Sequence, residues 1–160
     1  MSNRALLLSI RPKFATKIFE GSKTVELRRV RPNISGGDLV LVYASSPTRA
    51  LLGAFEVDRV LCSTPSKIWT EVEQCAGVTQ AEFDDYYAGA KKAYGIFIKR
   101  SWLFDEPLKL PALRQKRAEF RPPQGYHYVS TTDVLLSGLK CGRLQAALCG
   151  TIKSSSRQGA

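Results

Sequence analysis

At 160 residues the chain suits one domain, long enough to bury a core, and 44% hydrophobic against 24% charged residues is ordinary globular composition. It has no apolar run of roughly 18 residues, so no membrane-spanning helix is expected. The opening "MSNRALLLSIRP" lacks a small-residue cleavage site, so it reads as a strand and the expected location is the cytoplasm. Four cysteines without C-x-x-C spacing and a single histidine, His127, are poor material for a zinc site, so free thiols and no metal are expected.

Residues 5–10 form an apolar run suited to a buried strand. Pro12 then opens a helix whose stripe is Phe14, Ala15, Ile18 and Phe19, with Lys13 and Lys17 outward and Gly21 as the stop. In the following "FEGSKTVELRRVRP", alternation puts Val25 and Leu27 on one face and Thr24, Glu26 and Arg28 on the other. Lys23 stands between the helix end and this strand, where rigid neighbours hold a side chain that stays accessible. The polar face is either solvated surface or the floor of a cleft.

"NISGGD" at 33–38 is a turn, residues 39–46 a buried strand, and 50–61 another strand in which Gly53 marks a bulge or close approach. Short helices are expected at 66–75 and 79–88, a long strand at 94–104, and a proline-stiffened extended segment at 121–128. The helix pair has the look of a DNA-reading helix-turn-helix, but its second helix carries Glu82, Asp84 and Asp85 and no base, so phosphates would repel it. Packing through Ile68, Trp69, Val72, Phe83 and Tyr86 is the expectation, with Trp69 and Trp102 in the core. Beyond 128, short helices are expected at 134–139 and 144–148, giving a helical extension over 129–150 and a mobile tail over 151–160.

Residues 1–49 carry nine Lys/Arg against three Asp/Glu, residues 50–110 seven against nine, and residues 111–160 eight against two. If the basic ends meet in space they form a positive surface suited to a phosphate backbone. Strands with a few interspersed helices suggest an α+β or small barrel-like domain. G-x-G-x-x-G, P-loop, H-E-x-x-H and G-x-S-x-G patterns are all missing.

The octet Gly21-Ser22-Lys23-Thr24-Val25-Glu26-Leu27-Arg28 fits G-x-K-x-x-E-x-R after a first helix. With the flanking "LLLSIRPKFATKIFEG", "DLVLVYASSPTRALLGAFEV" and "RPPQGYHY" it resembles the ASCH domain, a branch of the PUA-like superfamily, over roughly residues 5–128, so a domain spanning 1–128 is expected. The resemblance implies an α+β, PUA-like small β-barrel with flanking helices and a cleft beside the signature strand. Val25 and Leu27 would fill the barrel and Thr24, Glu26 and Arg28 would line the cleft. It also implies nucleic-acid binding, RNA in preference to DNA, which agrees with the charge distribution.

In such a cleft Arg28 offers a bidentate fork for phosphate or a plane for a base, and Arg29 and Arg31 extend a phosphate track. Glu26 either orients Arg28 and Lys23 or accepts from a base edge. Ser45 and Ser46 are ligand donors or turn formers before Pro47. Tyr126, His127 and Tyr128, near Arg121 and Gln124, offer stacking surfaces or pack on the barrel. RNA binding is the leading reading. Ribonuclease action on single-stranded RNA is the alternative, with Glu26 or Lys23 as base and Lys23 and Arg28 stabilising the phosphorane. A divalent metal enters only with that alternative, and no other cofactor is expected. Third is amide hydrolysis on an acylated cytidine, known in a short ASCH branch whose lysine matches Lys23. Its nucleophilic threonine falls where this chain has Glu26, so Thr24 would have to substitute.

Overall fold

The computed structural model describes residues 3–137, so the helix expected at 144–148 and the tail at 151–160 lie outside the described residues. The apolar run at the start becomes β1 (Arg4–Ile10). It lies between a parallel neighbour, β3 (Leu39–Ala44), and an antiparallel one, β6 (Tyr126–Ser130). A strand covered on both faces needs apolar side chains on both, which is why it lacks alternation. Ala5 and Leu7 enter one core layer, while Leu6, Leu8 and Ile10 enter the other.

Helix α1 (Pro12–Glu20) covers that second layer with buried Ala15 and Ile18. Gly21 ends it at φ 86, a left-handed conformation that glycine adopts without cost, and its N–H donates to the Ile18 carbonyl. The longest strands, β4 (Ala50–Ser63) and β5 (Ala93–Lys109), pair antiparallel, and β2 (Val25–Arg28) joins the outer edge of β5. Gly53 sits at a register shift between them. A Cβ there would stand 2.2 Å from the Trp102 carbonyl oxygen and 2.8 Å from the Phe19 ring, which excludes any larger residue.

The fold is α+β, as expected, but the barrel is not closed. The strands form one six-stranded sheet in the order β2-β5-β4-β3-β1-β6, and among the described residues no ladder joins β2 to β6. Side chains span the gap instead. The Tyr126 hydroxyl donates to the Arg31 carbonyl at 3.4 Å, and the Asn33 N–H donates to the Tyr128 hydroxyl at 2.7 Å.

Helices α2 (Pro65–Val72) and α3 (Gln80–Tyr86) pack on β2 and β5, not as a DNA-reading pair. Val25 and Leu27, expected inside a barrel, lie under these helices with Ile68, Val72 and Phe83. Trp69 is half-buried against Phe83, Trp102 is buried, and Tyr87 takes the core position expected of Tyr86. Helix α4 (Leu110–Lys116), which the sequence reading missed, puts Leu113 over the first layer beside Phe120. Residue 128 falls inside β6, and Val129 and Leu135 belong to the same core, so the packed unit runs past that boundary. The expected helix at 134–139 is a single 3-10 turn at Val134–Leu136, capped by Asp133. No described helix is long and apolar enough to cross a membrane.

Candidate functional site

The end of α1 aims the chain so that Lys23 turns inward one residue before Thr24 binds the neighbouring loop. The Lys23 N–H donates to the Lys17 carbonyl, and the Thr24 N–H donates to the Cys75 carbonyl. The Lys23 ammonium donates to the Ala76 carbonyl at 2.7 Å and lies 3.6 Å from Glu26 Oε2. It also stands 5.5 Å from the centre of the Phe14 ring. Beside it, Gly77 holds φ +67, and a Cβ there would come within 3.0 Å of the Lys23 Cβ. Burial lowers the Lys23 pKa below the ordinary lysine value, opposed by the Glu26 carboxylate.

Glu26 lies between two cations, with Oε1 3.5 Å from Arg28 Nη1. The same Arg28 nitrogen is 3.5 Å from the Ser9 carbonyl oxygen, so the guanidinium links β2 to β1. Tyr87 fixes the strand beneath by donating its hydroxyl to the Arg28 carbonyl at 3.0 Å. Lys23 and Glu26 are the buried charged residues of the described structure. Two cations against one carboxylate leave this floor with one net positive charge.

Above the floor is a cavity of about 520 Å³. Its lining includes Lys23, Glu26, Arg28, Ser45 and Gln124, five of the residues singled out from the sequence. Thr24 is exposed and does not line it, so the nucleophile that amide hydrolysis would need is not in the cavity. Ser46, Arg29, Arg31 and Arg121 are exposed outside it. Tyr126 and Tyr128 pack against the α1 layer, and the Arg4 guanidinium sits 4.1 Å above the Tyr128 ring. His127 points the other way along β6, toward Arg117 and Asp133, so it does not reach the cavity.

The sequence reading missed the opposite wall. Arg11 and Lys13 come from the start of α1, and Glu82, Asp85 and Tyr86 come from α3. Lys13 and Glu82 form an ion pair across the two helices. The bond from Lys13, with the Thr79 N–H, lowers the Glu82 pKa to about 2. The flanks of Pro12 carried a signal, since Arg11 and Lys13 bracket the helix start. Nothing local marked α3, whose part in the site arises from tertiary packing. Among the described residues no three His, Cys, Asp or Glu side chains gather as metal ligands would.

The ASCH domain family model matches residues 8–104, and the chain belongs to that family. It is 30% identical over 118 residues to the ASCH domain-containing ribonuclease of Zymomonas mobilis, across 74% of this chain and 79% of that protein. The crystal structure of ASCH from Zymomonas mobilis superposes with TM-score 0.80 at 26% identity, covering 87% of this chain and 98% of that one. A large ribosomal subunit protein uL22 of Ureaplasma parvum is 27% identical over 129 residues, which is 80% of this chain and 40% of that protein.

Proposed function

We propose that this protein binds single-stranded RNA in the cavity and cleaves it there, with Lys23, Glu26 and Arg28 carrying the chemistry. The observation that carries the reading is the Glu26 carboxylate, buried between two cations on the floor of a nucleotide-sized cavity. The ribonuclease from Zymomonas mobilis, 30% identical, supports it.

The step proceeds as follows. Glu26 takes the proton of the 2′-hydroxyl, and the freed oxygen bonds to the adjacent phosphorus. The 5′-oxygen leaves with a proton from the Lys23 ammonium, whose burial makes it a stronger acid than an exposed lysine. Arg28 holds the non-bridging oxygens as charge grows on them. The products are a 2′,3′-cyclic phosphate and a 5′-hydroxyl end. The proton then returns from Glu26 to Lys23 across the 3.6 Å between them. General acid–base action of this kind contributes about 10²–10⁴-fold.

Binding without cleavage is the second reading, favoured by the bond that ties Lys23 to the Ala76 carbonyl. End-labelled RNA of mixed sequence, incubated with Mg²⁺, Mn²⁺ or EDTA, separates the two. Wild type is expected to produce cyclic-phosphate ends that vanish in Glu26→Gln and Lys23→Ala. Retarded but intact RNA would overturn cleavage and leave a binding domain.

A further inference from the structure

Helix α3 begins in a capping box. Thr79 accepts from the Glu82 N–H at 3.1 Å, while Glu82 accepts from the Thr79 N–H at 2.8 Å. That closure fixes the rotation of a short helix. Residues 82, 85 and 86 stand three and four positions apart and share one face. This face lines the cavity, while Phe83 and Tyr87 turn beneath it into the core.

Phe83 reaches the cavity lining but is buried, so Tyr86 is the exposed aromatic residue of this wall, at 41%. Its ring meets Tyr87 nearly edge-on, with centroids 4.8 Å apart and planes at 74°. Burial pushes the Tyr86 hydroxyl pKa up, against the nearby charge of Arg28. The ring is thus packed at one edge, which restricts its rotamers before a ligand arrives. A rigid, exposed aromatic face at a cavity rim fits a flat partner with an apolar face.

The charges around it select which part of a nucleotide comes there. Asp85 shares this wall with Tyr86 and repels phosphate, Glu82 being paired with Lys13, whereas Arg11 and Arg28, from α1 and β2, also line the cavity and attract it. A base stacked on Tyr86 would keep its N–H edge near Asp85, a carboxylate that accepts from amino groups.

We propose that Tyr86 is the stacking platform for one unpaired nucleobase of the RNA, with the adjoining phosphate on the Arg11 and Arg28 side. The proposal rests on the RNA reading above and adds the element that orients the strand. In a duplex both faces of a base are covered by neighbours, so the site takes single strands.

The test uses a single-stranded RNA of about 4–16 nucleotides, made cleavage-resistant with 2′-O-methyl sugars, and a series in which each base in turn is removed. Tyr86→Ala is expected to weaken binding of the intact RNA roughly ten- to a hundredfold, the range that stacking on an aromatic supplies, and Tyr86→Trp to retain it. One abasic position should cost wild type a similar factor and cost Tyr86→Ala nothing further. With cleavable RNA, Tyr86→Ala should raise KM and keep kcat. Unchanged binding by Tyr86→Ala, or an abasic loss equally large in that variant, would overturn the stacking role while leaving RNA cleavage standing. Wild type that neither binds nor cleaves RNA would overturn both.

Discussion

The Lys23 ammonium stands 3.6 Å from the Glu26 carboxylate, and their side chains keep only 2% and 8% of their exposure. A buried pair of this kind is costly to break from one side, because the remaining charge loses its partner. Glu26→Ala is expected to destabilise the fold by about 3–5 kcal/mol. The double variant Lys23→Met, Glu26→Gln should be more stable than the sum of its single changes predicts. Urea unfolding of the four proteins measures this coupling, and strict additivity would show that the two groups do not depend on each other.

The Lys13–Glu82 pair makes part of the acid sensitivity. The Glu82 pKa is about 2 in the folded protein against an ordinary value of 4.5, so its stabilisation is present above about pH 4.5 and lost as pH falls toward 2. The pair lies at the surface and salt screens it. Glu82→Gln should flatten the fall in melting temperature over that interval, and added salt should shrink the difference between variant and wild type. An identical acid profile in both proteins would refute the assignment.

His127 belongs to the far side of the sheet. Burial, then the charge of Arg117, lowers its pKa below 6.5, against the pull of Asp133. The unfolded chain therefore binds this proton more readily, and the residue's contribution to stability is lost as pH falls below 6.5. His127→Ala should leave RNA cleavage and its pH profile unchanged. A lost limb of that profile would place His127 in the chemistry.

Arg29 and Arg31 are exposed outside the cavity, and the proposed binding mode runs a strand leaving it across them. Neutralising either should weaken all RNA sequences alike and reduce the slope of log K against log salt by about one. Equal affinity and equal slope in these variants would remove the phosphate track.

Much of this was legible in local pattern. Residues 5–28 announce β1, α1 and β2 through an unbroken apolar run, a helical stripe and a short alternation, each a matter of a few neighbouring residues. Alternation put Glu26 and Arg28 on one face of β2 but left open whether that face was solvated surface or a cleft. The family resemblance pointed to the cleft, and Thr24, expected on the same face, does not line it. What alternation could not give was the partner of the other face. Val25 and Leu27 lie under α2 and α3, a choice made by packing across some forty residues of sequence. The reversed places of Tyr86 and Tyr87 have a related cause. Tyr87 stands four residues after buried Phe83 and so shares its core-facing side, while Tyr86 stays on the face shared with Glu82. Helix α4 was hidden because "LPALRQK" is short and only Leu113 is buried. For Tyr126 and Tyr128 the sequence leaves stacking and packing open, because aromatics near cations look alike whether they meet a base or the core, and the structure packs both against the α1 layer.

The most direct test of the central claim is the single-turnover cleavage rate of wild type and Glu26→Gln at saturating protein. Both must be folded by melting temperature and must bind the cleavage-resistant RNA. Glu26→Gln is expected to keep binding while its rate falls by about a hundredfold or more. An undiminished rate, or RNA left whole by wild type, would contradict it.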